Sequence, residues 1–113
     1  NVVKVVRDRD QLALYFSRAP IPEPRDGYPV DLADAGLWRR HVGIYGYRVA
    51  ALRQFVALEP SPLERSERLE QLRLLENGMS ILTLDACLPV PGGVDTPDDL
   101  RRIAELFAVP TQE

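Results

Sequence analysis

Arg18, His41, Glu70 and Asp95 are the side chains of this 113-residue sequence whose type and surroundings could do chemistry. Arg18 follows the run Leu12 to Ser17 and precedes Ala19-Pro20-Ile21-Pro22-Glu23-Pro24, where alternating prolines impose an extended, rigid loop. At the mouth of a strand its guanidinium can clamp an anion, or it is one solvated arginine among many. In His41-Val42-Gly43-Ile44-Tyr45-Gly46-Tyr47-Arg48, the odd positions His41, Gly43, Tyr45 and Tyr47 share one face of an extended segment. Two glycines there suit close approach by another backbone or a ligand, and His41 is either part of that surface or a structural histidine with its bonds satisfied internally. Glu70 falls a helical repeat after Leu63 and one turn before Leu74, so its carboxylate is expected beside buried leucines; it is a rim glutamate paired with an arginine, or a carboxylate held for function. Asp95 follows Gly92-Gly93 and stands just outside a helix start that Thr96, Pro97, Asp98 and Asp99 already explain. Its carboxylate is either one more acid near a helix N-terminus or a hard oxygen ligand for a metal ion.

These residues need a frame. Val2 to Val6 is β-branched and strand-like, Arg7-Asp8-Arg9-Asp10 is a polar turn, and Leu12 to Ser17 is a second strand. A mixed loop over Tyr28 to Gly36 precedes the His41 segment, which alternates like a strand and runs directly into a helix over Val49 to Leu58. Ser61 to Gly78 is expected to be one helix: Ser61 caps it, Pro62 takes its first position, Glu64 completes a capping box and Gly78 ends it in the left-handed region. At about 100° per residue, Leu69, Leu72 and Leu75 share one side of that helix and Leu63 and Leu74 lie nearly opposite. A short strand over Met79 to Leu84, a loop to Gly93 and a helix over Leu100 to Val109 complete an α/β chain with helical cover on a sheet.

One hydrophobic core is the limit at this length, and 45% hydrophobic with 27% charged residues is a globular composition. No apolar run approaches the roughly 18 residues that a membrane helix needs. A formal charge of -3 gives no broad basic field for nucleic acid. One cysteine and one histidine nearly exclude a Cys/His zinc site, and Cys87 is expected as a small buried hydrophobe in a reducing compartment, the cytoplasm. The start, strand-like from Asn1 with no initiator methionine, suggests a piece of something longer.

Five segments in order resemble a known family: Ala13-Leu14-Tyr15-Phe16-Ser17-Arg18-Ala19, His41 to Arg48, Ser61-Pro62-Leu63-Glu64, Leu69-Glu70-Gln71-Leu72-Arg73, and Gly93-Val94-Asp95-Thr96-Pro97-Asp98-Asp99-Leu100. Together they are similar to motifs of the CMP-Kdo synthetases, the 3-deoxy-manno-octulosonate cytidylyltransferases, and to that family's C-terminal half. The resemblance implies a partial nucleotidyltransferase-type sheet with flanking helices. Residues 1–113 would then be a single domain, the sugar-binding and dimerisation half, with the N-terminal nucleotide-binding half absent. The implied reaction, a step of lipopolysaccharide biosynthesis, is CTP plus Kdo giving CMP-Kdo and pyrophosphate with Mg2+ as cofactor. Matching positions make Asp95 and Arg18 catalytic residues, Asp95 as a magnesium ligand and Arg18 as the partner of the Kdo carboxylate, and make His41, Tyr45, Glu70 and Gln71 a hydrogen-bonding wall for sugar hydroxyls. The resemblance also implies a homodimer, which makes the Leu69/Leu72/Leu75 side either core or dimer contact. A fragment alone is expected to be inactive. A cytidylyltransferase for another acidic sugar, and a stand-alone dimerisation or assembly module, are the alternatives.

Overall fold

The β-branched run and the apolar run that follows it pair as an antiparallel hairpin, β1 (Lys4–Arg7) and β2 (Ala13–Ser17). Their turn is fixed by Asp8, whose Oδ1 accepts from the backbone N–H groups of Asp10 at 2.8 Å and Leu12 at 3.0 Å. A short strand β3 (Arg39–Arg40) pairs with the other edge of β1, giving the order β2-β1-β3. The computed structural model describes residues 2–27, 36–90 and 96–107. The Asp95 loop, most of the expected 28–36 loop and the last two residues of the expected C-terminal helix lie outside these.

The helices follow in chain order: α1 (Val49–Ala57), α2 (Pro62–Glu67), α3 (Gln71–Glu76) and α4 (Pro97–Phe107). The cap of α4 is the expected one. Asp99 N–H donates to Thr96 Oγ1 at 3.1 Å, and Thr96 N–H donates to Asp99 Oδ2 at 3.2 Å. At α2 the Ser61 N–H donates to Glu64 Oε1 at 2.9 Å, and Gly78, with φ +76°, ends α3 as the spacing requires.

The expected single helix from Ser61 to Gly78 is instead two. Arg68 adopts left-handed dihedrals, φ 56° and ψ 47°, and α3 sets off in a new direction. A non-glycine residue there costs about 1–2 kcal/mol, whereas burying each leucine side chain returns about 1.5–3 kcal/mol. Leu69 and Leu72, on the far side of the break, are 7% and 0% exposed and pack with Val5, Ala13 and Phe16 of the sheet. Leu75 packs against the same cluster, so of the two readings of this side, core or dimer contact, the structure gives core. The end of β2 also grips the break: Ser17 Oγ donates to Glu67 Oε1 at 2.9 Å, and Arg18 donates to the Glu67 carbonyl at 2.5 Å.

Other expectations are corrected by the same packing. The strand over Met79 to Leu84 is reduced to a single antiparallel bridge, Leu12 to Leu82, flanked by Ala13 N–H to Ile81 O and Thr83 N–H to Gln11 O, both 2.8 Å. The neighbouring strand offers little more to pair with, because Gln11 turns at φ 66° and the hairpin register shifts between Val6 and Arg7. Arg7 and Arg39 instead bind the following loop through Asp85, at 3.2 and 3.5 Å. Cys87 in that loop is exposed, not buried. Helix α1 buries none of its residues, and Val49 and Val56 are widely open to solvent.

If the core lies where α3 meets the hairpin, Leu72→Ala costs about 2–5 kcal/mol in denaturant unfolding. Leu84→Ala, at a position 80% exposed, changes stability by less than about 0.5 kcal/mol. Equal losses at the two positions would contradict this core.

Candidate functional site: a cavity behind the Gly43 bend

Position 41 is where the sheet ends. The His41 N–H donates to the Val3 carbonyl at 2.8 Å, and its ring meets Phe16 edge-on at 5.2 Å. A regular strand would carry the chain about 13 Å over the next four residues. Gly43 instead takes φ +86°, a region that L side chains resist. The bend returns Tyr45 to His41, and Nε2 and Oη share a hydrogen bond of 2.8 Å. The expected strand over 41–48 therefore does not form beyond Arg40, although the side chains expected on one face do stay together. Tyr45 stacks on Tyr47 at 6.0 Å, and Tyr47 stacks on Phe55 of α1 at 6.0 Å with rings 12° from parallel.

Facing this aromatic run is the start of α3. His41, Tyr45, Glu70 and Gln71, four residues singled out from sequence, line one cavity of about 220 Å³, together with Gly43, Tyr47 and Phe55. Gln71 is 7% exposed, and its Nε2 has no hydrogen-bond partner among the described residues. A buried amide donor without a partner is costly, and such a group in a cavity is satisfied by whatever enters it. Glu70 is exposed at the rim rather than set among leucines, because the break at Arg68 turns the leucines inward. It forms no ion pair among the described residues. The arginine-paired glutamate is Glu64, which binds Arg73 in a fork, Nε to Oε1 at 2.9 Å and Nη2 to Oε2 at 2.6 Å. Arg73 beside it holds the Glu64 carboxyl below the usual carboxylate range. A more open hollow of about 470 Å³ lies beyond Glu70, lined by Pro60, Glu64, Arg65 and Arg68, and none of these brings an unpartnered buried amide.

The cavity is neutral within and acidic at one edge. Burial pushes the His41 imidazole below its ordinary value near 6.5. Burial, then the neighbouring Tyr47 and Glu70, push the Tyr45 phenol up, and burial followed by Glu70 does the same for Tyr47. At neutral pH the walls therefore offer an uncharged imidazole, two phenols, an amide and a carboxylate. Such a set can donate to and accept from a ligand rich in hydroxyls, and it repels an anionic group placed beside Glu70.

Of the other two candidates, only Arg18 is among the described residues. Arg18 is exposed at the end of β2, bound to the Glu67 carbonyl, and does not line the cavity. Asp95 lies outside the described residues. Among the described residues no group of three or more His, Cys, Asp or Glu side chains gathers as a metal site. Sequence reasoning missed Phe55, which helical spacing marks only as apolar, and Arg73, whose partner Glu64 is nine residues away across a break that the pattern does not show.

A cytidylyltransferase family model matches residues 1–81. The chain belongs to the cytidylyltransferase family. Its relatives in the family include the 3-deoxy-manno-octulosonate cytidylyltransferase of Alcanivorax borkumensis, 53% identical over 105 residues, which cover 91% of this chain and 42% of that protein. The enzyme of the same name from Cellvibrio japonicus is 51% identical over 113 residues, 96% of this chain and 44% of the relative. The solved structure of a CMP:2-keto-3-deoxy-manno-octonic acid synthetase complexed with CTP aligns with TM-score 0.78 and 42% identity, covering 94% of this chain and 41% of that one. The mixed α/β fold is thus part of a nucleotidyltransferase domain, and the chain spans less than half the length of these relatives. Among the described residues no helix is long and apolar enough to cross a membrane.

The buried imidazole gives a pH test. A group held neutral in the fold leaves the unfolded state binding more protons below about pH 6.5, so stability falls from there down to the lowered folded value. Histidine ring NMR should give a His41 midpoint below 6.5, with stability declining over that window; a midpoint at or above 6.5 would place the ring in water.

Proposed function

We propose that the whole protein activates Kdo with CTP, giving CMP-Kdo and pyrophosphate, and that this chain supplies the sugar-binding half. The observation that carries the reading is the meeting of His41, Tyr45, Glu70 and Gln71 around one cavity with an unpartnered buried amide. In relatives named for this activity the chain matches over nine-tenths of its length at about half identity. In the reaction the anomeric hydroxyl of the sugar acid attacks the α-phosphorus of CTP and loses its proton to solvent, a new P–O bond forms, and pyrophosphate leaves with the electrons of the broken P–O bond.

Each residue then has a role suited to its chemistry. His41, Tyr45 and Gln71 hydrogen-bond the sugar hydroxyls, and Glu70 accepts from one at the rim. A carboxylate cannot sit beside Glu70 at low cost, so the acid end of the sugar is directed away from it, and Arg18, whose fork suits a carboxylate, is its proposed partner. Asp95 would hold Mg2+ together with substrate phosphates, a donor set of one carboxylate and several phosphate oxygens that this ion accepts. Bound there, the ion would neutralise charge on the attacking and leaving oxygens. A cytoplasmic homodimer belongs to the same proposal; the apolar positions Val49, Leu52 and Val56, exposed along α1, support an interface there rather than at the leucines of α3.

Pyrophosphate release by the whole protein, with CTP and either Kdo or neuraminate, tests the activity. Turnover with Kdo alone is expected, and use of neuraminate with Kdo ignored would overturn the sugar assignment. Gln71→Met should raise KM for Kdo about tenfold, the weight of one hydrogen bond of about 1.4 kcal/mol, with KM for CTP unchanged. Asp95→Asn should abolish turnover while CTP binding persists; an active Asp95→Asn protein would remove that carboxylate from the site.

A further inference from the structure

Helix α1 raises a mechanical problem. It carries Phe55, a wall of the cavity, yet it buries no residue of its own. What holds that wall in place is a sandwich. Tyr47 stacks on Phe55 at 6.0 Å, and the guanidinium of Arg73 lies over the Phe55 ring at 4.9 Å. The same guanidinium is forked onto Glu64 of α2, and its Nη1 donates to the Leu58 carbonyl, the C-cap of α1, at 3.4 Å. Arg73 itself sits on α3 and does not line the cavity.

We infer that Arg73 is a positioning residue for the cavity, fixing its aromatic wall from behind through Phe55 and Tyr47. The chemistry requires arginine. Donors around the edge of a planar guanidinium satisfy Glu64 and Leu58 while its face covers an aromatic ring, and a lysine ammonium can keep the charge but cannot form the fork and the stack together. Without that plane behind it, Phe55 loses one of its two faces. Tyr47 then loses its support and, through it, so does Tyr45, whose phenol is bound to His41. The consequence for the sugar acid rests on the function proposed above; the displacement of the rings does not.

The test uses Arg73→Met and Arg73→Lys in the whole protein, with two readouts. The first is the NMR spectrum of the His41 imidazole and of the Tyr45 and Tyr47 rings without ligand. Both variants should move these resonances while the core methyls of Leu72 keep theirs, and unmoved rings would overturn the inference. The second is kinetic: KM for Kdo should rise about ten- to a hundredfold with KM for CTP unchanged, and lysine should not rescue it. Full rescue by lysine would reduce the role to charge, and a lowered melting temperature with unaltered KM and rings would reduce it to scaffolding; either result overturns the positioning role. If Arg73→Met does not fold, Phe55→Leu removes the same stack from the other side and should move the Tyr47 and His41 rings in the same way; rings unmoved in that protein would overturn it equally. Should the whole protein ignore Kdo altogether, the proposed function fails while the ring readout still decides the inference.

Discussion

Three helices meet at the fork between Arg73 and Glu64, while α2 is also tied to α3 by the Leu63 N–H donating to Glu76 Oε2 at 3.1 Å and to the end of β2 through Glu67. Helix α1 buries none of its side chains and α2 is six residues long with none buried, so neither has a hydrophobic reason to stay where it is. Both partners of the fork are largely shielded, with side chains 16% and 13% exposed, and a shielded pair is held by its geometry because losing either partner strands the other. From α3, which is anchored in the core by Leu72, Arg73 reaches Glu64 on α2 and Phe55 and the C-cap of α1. Polar contacts, with Arg73 reaching both helices, thus carry the order of the hydrophobic core outward to elements that have no core of their own.

The cavity lies between that contact and the sheet. On the sheet side, the His41 N–H continues the pairing of β3 with β1 by one residue, and Gly43 then turns the chain back so that Tyr45 reaches the imidazole. On the helix side, the left-handed Arg68 lets Leu69 and Leu72 enter the core and leaves Glu70 and Gln71 at the cavity. Both backbone irregularities sit at the site. In a regular strand and an unbroken helix, His41 and Tyr45 would be too far apart to bond, and α3 would not turn to bring Glu70 and Gln71 to the rings.

This also explains what could be read from the sequence. The hairpin, α1, the caps at Ser61 and Thr96 and the stop at Gly78 depend on neighbouring residues, and their signals are local. The two errors at the site, a strand drawn through Gly43 and a helix drawn through Arg68, arise where tertiary gain outweighs local preference. Gly43 was visible as a glycine with a purpose, but not the direction of its turn. Nothing local marks Arg68, because its strain is repaid by leucines meeting Val5 and Phe16, more than fifty residues earlier. Alternation sets His41 and Tyr45 on one face and helical spacing singles out Glu70, whereas Gln71 and the grouping of all four come from the family resemblance, and these irregularities gather them. Arg18 was correctly set at a strand end, but its observed partner is the carbonyl of Glu67.

The central claim is that the cavity of His41, Tyr45, Glu70 and Gln71 receives the sugar acid. The side-chain amide of Gln71 reports on it most directly, since its Nε2 is buried and has no partner among the described residues. Titrating Kdo into isotope-labelled whole protein, and following that amide by NMR, should shift the Gln71 resonances saturably as the new hydrogen bond forms, together with the His41 ring. Saturable binding of Kdo that leaves Gln71 and His41 unmoved would contradict the account.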